Sequence, residues 1–235
     1  MLKGKLLPQN EEYYLIIEVA MNGLLRDEVI KYIRDLMPPR DELLVNMELE
    51  AAQKMVPIVE PEVAQMLYWL ALSHNVTRVL EVGTAIGYST LWLAKAVLPR
   101  GGSITTIEIN KPRYESAKSN FKRAGVEDDI NLIFGDAREL IYEMTGPYDF
   151  IFLDAAKGKY LDFLEQCINI LTPGGLLVAD DVFMRGMVIS GEVDKKRNKT
   201  AVKRLRDYLK AVTGHPQLET VIIPFSDGLA LSYKK

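Results

Sequence analysis

The chain has one cysteine, Cys167, among 235 residues, and only two histidines, His74 and His215. A single thiol excludes an intrachain disulfide and a cysteine-rich zinc site. Cys167 falls in an apolar helical pattern, residues 163–171, where a thiol packs as a core residue. Both histidines lie outside every segment that carries chemistry below, so a zinc site is not expected. Long apolar runs are also missing. Stretches such as residues 66–72 are far too short to span a bilayer, and no membrane association is expected. Residues 1–10 hold lysines without a following signal-type apolar core or small-residue cleavage site, so a cytoplasmic protein is expected. Charge of one sign is not in excess. Lys and Arg number 29 against 32 Asp and Glu, a net charge of −3, which argues against wholesale polyanion binding but allows a local basic face. Hydrophobic residues make up 48% and charged residues 26%, enough for a sizeable core.

Periodicity changes once along the chain. Apolar residues recur at helical spacing in residues 14–25, 43–55 and 61–72, with breaks at Pro38-Pro39 and around Pro57. Strands then alternate with helices. Strands are expected at 78–82, 103–107, 130–134, 150–153 and 176–179, and helices near 89–97, 112–124, 137–143 and 159–171. This alternation predicts right-handed βαβ crossovers and a parallel sheet. Two last apolar runs, 220–224 and 229–232, flank Phe225-Ser226-Asp227-Gly228, a hairpin signal that predicts an antiparallel strand at the end of the sheet. The expected fold is therefore α/β and doubly wound, a mostly parallel seven-stranded, Rossmann-like sheet. The whole chain, 1–235, is expected to form one domain, with residues 1–75 a helical cap on a core of residues 76–235.

The most informative segment is Val79-Leu-Glu-Val-Gly-Thr-Ala-Ile-Gly-Tyr-Ser-Thr90. A strand runs into a glycine turn and then a helix, which presents backbone N–H groups to a ligand. A dinucleotide turn needs G-x-G-x-x-G. Here the glycines are Gly83 and Gly87, with Ala85 and Thr90 at the other positions, so a pyrophosphate does not fit. Glu81 suits a cationic ligand such as S-adenosylmethionine, which carries an amino group and a sulfonium. Ligands of open α/β sheets lie over the carboxyl ends of the strands. Glu108 ends the second strand and is placed to accept both ribose hydroxyls, a device nicotinamide enzymes share. Asp136 follows the third strand and is placed to meet an adenine amino group. Ser89, at the start of the first crossover helix, is placed to bind the methionine carboxylate.

The fourth and fifth expected strands end in Asp154 and in Asp180-Asp181. Neighbouring strand ends lie about 5 Å apart, so three carboxylates crowd one cleft, an arrangement that a cation relieves. All-oxygen ligands select a hard divalent ion, Mg²⁺ by default, with Mn²⁺ or Ca²⁺ as alternatives. Lys157 follows Asp154 by three residues. Beside a metal and a sulfonium its pKa is expected to fall, so that it accepts a proton from a hydroxyl. Lys159 is expected in solvent and Tyr160 packed over the cleft. Between Lys195 and Lys210 the chain holds Lys195, Lys196, Arg197, Lys199, Lys203, Arg204, Arg206 and Lys210 against the single acid Asp207, a candidate phosphate-contacting segment.

Together these blocks (residues 81–90, 106–108, 135–137, 148–160 and 174–182) resemble the cation-dependent O-methyltransferases that include the catechol and caffeoyl-CoA enzymes. The resemblance spans roughly residues 50–235. It implies S-adenosylmethionine contacts at Ser89, Glu108, Asp136, Ala137 and Asp154, with Val59 in Pro57-Ile-Val-Glu60 closing over the cofactor. It implies metal ligation by Asp154, Asp180 and Asp181, and a base-like Lys157. The last ligand in the family is usually Asn; here it is Asp181. Within the family, Val56-Pro-Ile-Val-Glu60, Gly83-Thr-Ala-Ile-Gly87, Asp154-Ala-Ala-Lys-Gly158 and Ile222-Ile-Pro224 with residues 227–232 resemble the bacterial tRNA 5-hydroxyuridine methyltransferases. This implies a tRNA partner, with a small catechol or caffeoyl-type ester as the alternative acceptor. Family members are often dimers, so a homodimer is expected.

Overall fold

The computed structural model describes residues 27–155, 157–191, 193 and 198–235. The helix expected at 14–25 and the basic residues Lys195, Lys196 and Arg197 lie outside the described residues. The chain divides into two compact units, residues 1–39 and 40–235. The described part of the first is helix α1 (Asp27–Leu36).

The second unit opens with α2 (Glu42–Lys54), which closes on Met55 in the left-handed region at φ 52°. Pro57 keeps the next residues extended, and α3 (Pro61–Ser73) starts on a proline at its first position, where the missing N–H costs nothing. Seven strands follow: β1 (Arg78–Val82), β2 (Ser103–Glu108), β3 (Ile130–Phe134), β4 (Tyr148–Leu153), β5 (Leu171–Ala179), β6 (Leu218–Ile223) and β7 (Leu229–Lys234). Between them run α4 (Tyr88–Val97), α5 (Lys111–Ala124), α6 (Ala137–Leu140), α7 (Tyr160–Ile170), α8 (Met187–Ser190) and α9 (Asn198–Gly214), with a 3₁₀ turn at Lys157–Lys159. The sheet order is β3-β2-β1-β4-β5-β7-β6. Strands β1 to β5 pair in parallel, and β7 is antiparallel to both β5 and β6. The hairpin is therefore folded back so that its second strand docks on β5.

Beyond Arg78, β1 is buried at every position, and β4 is buried at all but Asp149, as strands covered on both faces are. The face presenting Leu80, Val82, Ile151, Leu153, Leu177 and Ala179 is covered by α7 and α9 through Phe163, Leu164, Ile168, Val202, Leu205 and Tyr208. Helix α4 packs against β1 and β2, and α3 packs against α4.

The register positions the site. Val82 pairs with Ile107 on one side and Leu153 on the other, and Leu153 pairs with Ala179. The next residue of each strand therefore falls in one row: Glu108, Gly83, Asp154, Asp180. The chain winds from β1 outward to β3, then returns to place β4 on the other side of β1. Such a reversal opens a crevice at the carboxyl ends of the strands.

Candidate functional site

A cavity of about 490 Å³ occupies that crevice. Its wall includes Val59, Gly83, Glu108, Asp136, Ala137, Asp154, Lys157, Asp180 and Asp181. Seven of them are expected from the strand-end and motif pattern, and Val59 and Ala137 only from the family resemblance. Glu81, Gly87 and Ser89, also expected at the ligand, stand behind the wall. Ile109, Arg113, Lys159, Phe163 and Ser226 line the cavity without having been singled out as ligand contacts. Ile109 follows Glu108 directly, so its place at a strand end was the available signal. Ser226 arrives from the β6–β7 turn, which carries no such signal.

The β1–α4 turn is built from left-handed residues at Gly83 (φ 107°), Ala85 (φ 47°) and Gly87 (φ 86°). Its amides are not bare, contrary to expectation. The N–H groups of Gly83 and Thr84 donate to Ile107 O, Gly87 N–H donates to Thr84 O, and Ala85 N–H donates to Glu108 Oε2. The turn is a rigid shelf rather than a phosphate cradle.

Period-two alternation sends Glu81 to the opposite sheet face, under the first turn of α4. There its carboxylate accepts hydroxyls from Ser89 (2.6 Å), Thr90 and Thr106 (2.6 Å). Thr84 and Thr106 are themselves joined at 2.6 Å. Burial pushes the Glu81 carboxyl up to about 7, against the three hydroxyls, which pull it down. The Glu81 carboxylate thus locks strand to helix, and the hydroxyl of Ser89, expected at a methionine carboxylate, donates to Glu81.

Glu108 ends β2 at the cavity wall. It is 5% exposed and held by Ala85 N–H at 2.8 Å on one oxygen and Asn110 N–H at 2.7 Å on the other. A carboxylate has about four acceptor sites. The remaining two face the cavity, a match for a vicinal diol. Glu108→Ala is expected to weaken S-adenosylhomocysteine binding by about 1.5–3 kcal/mol, the scale of hydrogen bonds to a charged group. Unchanged affinity by calorimetry would remove Glu108 from the ribose.

Asp136 is occupied differently from expectation. Its carboxylate caps α6 through Arg138 N–H at 2.9 Å and holds the Arg138 guanidinium, with Nε at 2.8 Å. That guanidinium holds the Asp136 pKa below its ordinary value. An adenine amino group would have to share it.

The other end of the row holds the acids. Asp154 N–H donates to Val82 O at 2.9 Å and Asp180 N–H to Leu153 O at 3.0 Å, so both side chains hang from clamped strand ends. Asp181 sits in the left-handed region at φ 54° and its N–H donates to Asp180 Oδ1 at 2.7 Å. Lys157 Nζ lies between them, 2.5 Å from Asp154 and 3.0 Å from Asp181. Burial, together with the Asp154 and Asp181 charges, pushes Asp180 up to about 8, and burial raises Asp154 as well. Burial opposes the Lys157 charge, but the acidic groups around it, Tyr160, Asp154, Asp181 and Asp180, prevail and hold its pKa well above the ordinary value. Among the described residues no three of His, Cys, Asp and Glu are already gathered as ligands.

Tyr160 lies beneath the acids, fully buried, rather than over the cleft. Its hydroxyl is 3.0 Å from Leu153 O and 3.2 Å from Asp180 O, which ties the β4 and β5 ends together. Lys159 pairs with Asp162 at 3.2 Å. In the basic segment, Arg204 and Arg206 are already committed. The Arg204 guanidinium donates to Gly158 O and Asp162, and Arg206 Nε donates to Val188 O at 2.7 Å. They brace α9 against the turn that carries Lys157 and against α8.

Comparison with known proteins places this geometry. The O-methyltransferase family model matches residues 39–235. A catechol O-methyltransferase of Niastella koreensis is 30% identical over 226 residues, covering 92% of this chain and all of that one. A caffeoyl-CoA O-methyltransferase of Medicago sativa is 30% identical, covering 91% and 92%. Among solved structures, the O-methyltransferase TomG of Streptomyces achromogenes, in complex with S-adenosylmethionine, superposes with a TM-score of 0.80 at 26% identity, covering 88% of this chain and 96% of that one. The Bacillus cereus O-methyltransferase bound to S-adenosylhomocysteine gives 0.79 at 26% identity, covering 87% and 96%. With the glycine shelf and the buried acid Glu108 at the switch point, these likenesses mean that the chain belongs to the O-methyltransferase family and is an S-adenosylmethionine-dependent enzyme of it.

Proposed function

We propose that the chain methylates a hydroxyl adjacent to a second oxygen, with a divalent cation held by Asp154, Asp180 and Asp181, and that its acceptor is 5-hydroxyuridine in tRNA. The observation that carries the chemistry is the convergence of Asp154 and Asp181 on the single ammonium of Lys157, with the buried Asp180 next to Asp181 on the β5 end, at the end of the cavity away from Glu108. Their donor chemistry fits Mg²⁺ or Mn²⁺: oxygen only, with more acid than the one ammonium balances. A bound cation would supply Lewis acidity that lowers the pKa of the acceptor hydroxyl.

The protein supplies the remainder. Glu108 and the Gly83 shelf hold the cofactor at one end of the row. The β4 and β5 ends, joined through Tyr160, hold the carboxylates at the other. Lys157 lies between them and offsets the negative charge left on an acceptor oxygen. Methyl transfer is then an in-line displacement that depends on positioning and on neutralising sulfonium and oxyanion together.

Support for a tRNA acceptor comes from the sequence blocks at residues 56–60, 83–87, 154–158, 222–224 and 227–232 and from the basic segment. The second reading is a catechol or caffeoyl-CoA-type ester, favoured by the names of the relatives at about 30% identity. Purified enzyme with radiolabelled S-adenosylmethionine and Mg²⁺, offered 5-hydroxyuridine-bearing tRNA, free 5-hydroxyuridine or a catechol, tests this. The expected result is a kcat/KM at least tenfold higher on tRNA than on the free nucleoside, falling as salt rises. Turnover confined to the catechol, or equal on tRNA and nucleoside with no salt effect, would transfer the enzyme to the small-molecule reading.

A further inference from the structure

We infer that the outer face of α9 is a rail for the sugar–phosphate backbone of an RNA whose target base enters the cavity. This deepens the tRNA reading above and rests on it. Helix α9 buries Val202, Leu205, Tyr208 and Val212 against the rest of the unit. Lys199, Lys203, Arg206 and Lys210 are exposed. Their spacings of four, three and four residues put them in one stripe. Eleven residues of helix rise about 16 Å, with a cation every 4.5–6 Å. The helix contains one acid, Asp207. Among the described residues, no carboxylate pairs with Lys199, Lys203 or Lys210.

The stripe also starts in a useful place. A Cβ built on Gly158 would lie 3.6 Å from Ala201, so the first turn of α9 abuts the Lys157–Lys159 turn. Arg204 fastens the two by donating to Gly158 O. The cations therefore begin beside the turn that carries Lys157 and lead away from the cavity. A catechol in the cavity would be too short to follow them. A polymer with charges at regular intervals beyond its reacting base is long enough. The stripe has no aromatic residue, so it suits backbone contacts rather than base stacking. With the apolar face of α9 already buried, insertion into a lipid surface is not available to it.

The triple variant Lys199→Glu/Lys203→Glu/Lys210→Glu tests the rail. It leaves Arg204, Arg206 and every cavity residue in place. Activity on 5-hydroxyuridine-bearing tRNA and on free 5-hydroxyuridine would be measured across a salt series, with thermal unfolding as the check on folding. The expected result is a loss of kcat/KM on tRNA on the order of tenfold or more near 0.1 M salt. The log–log salt slope should flatten by about 2, at about 0.7 per lost single-strand contact. Activity on the nucleoside and the melting temperature should stay as in the wild type. Wild-type kcat/KM and salt slope on tRNA in the variant would overturn the rail and leave the acceptor reading standing. An equal loss on the nucleoside would overturn it too, by placing these charges in the service of the cavity. A wild type that ignores tRNA and turns over a catechol would overturn both. Retention on phosphatidylserine vesicles, without retention of tRNA, would assign the stripe to a membrane surface.

Discussion

Asp154→Ala and Asp180→Ala are each expected to lower methyl transfer by at least about a thousandfold. A cation-binding carboxylate set supplies several kcal/mol of charge stabilisation, and about 1.4 kcal/mol is one decade of rate. Activity of the unaltered chain should vanish in excess EDTA and return with Mg²⁺ or Mn²⁺. Stability should move the other way. Asp180 is 4% exposed and sits among like charges that, with burial, lift its pKa to about 8. Asp180→Asn keeps the shape and a carbonyl oxygen for Asp181 N–H while removing one of the crowded charges. Its melting temperature in EDTA should equal or exceed that of the unaltered chain, the trade expected where a site is held against its own repulsion. Asp181→Asn, which restores the residue usual in the family, should be the mildest of the four in activity. Full turnover in excess EDTA would show that these carboxylates serve something other than a cation.

Gly83→Ala is expected to abolish cofactor binding and to cost at least about 3 kcal/mol of stability. A left-handed or still rarer backbone conformation costs a non-glycine residue on the order of 1–3 kcal/mol, and Gly83 stands at φ 107°. The added Cβ would also lie 2.2 Å from Asp154 O and 2.7 Å from Asp154 C. Neither backbone is free to yield, because Gly83 N–H is bonded to Ile107 O and Asp154 N–H to Val82 O. The clash would push on Asp154 itself, so one methyl group disturbs both ends of the cavity. Gly101→Ala is the control. Gly101 has φ 72° but nothing within 4 Å of its would-be Cβ, so it should lose roughly 1 kcal/mol and bind S-adenosylhomocysteine normally. Calorimetric titration and thermal unfolding of both variants decide the matter. Binding by Gly83→Ala within twofold of the unaltered chain would show that the turn does not support the cofactor.

The row of site residues was legible because strands β1, β2, β4 and β5 are short apolar runs followed by a glycine or an acid. Where the strands stop is written in local composition. What the acids touch is not. Glu81 reads as a ligand contact beside a glycine turn, yet its partner Thr106 comes from β2, 25 residues away, and only the assembled sheet brings that hydroxyl under α4. Lys157 was placed by its spacing from Asp154, but its contact with Asp181 comes from another strand end, which that spacing does not show. Arg204 reads as one more surface cation, and its bond to Gly158 O spans 46 residues. Element edges shifted where tertiary pairing outweighed local preference. The helix expected to reach 143 stops at Leu140, and β5 begins at Leu171, where a helix was expected to end. The terminal hairpin was visible as two apolar runs around Asp227-Gly228. Which of its strands docks on β5 follows from how β5 is left uncovered, not from the hairpin.

The reversal of winding between β1 and β4 divides the chain into two parts with separate histories open to them. Glu108, Asp136 and the Gly83 shelf all come from the segment before residue 137. The carboxylates, the Lys157 turn, the β6–β7 turn and α9 all come from the segment after residue 147. On the function proposed above, drift in the later segment would retune what is methylated while the earlier one keeps most of the grip on the methyl donor. Relatives that share about 30% of their residues with this chain, and whose names specify a catechol or a CoA ester, are what such descent would leave.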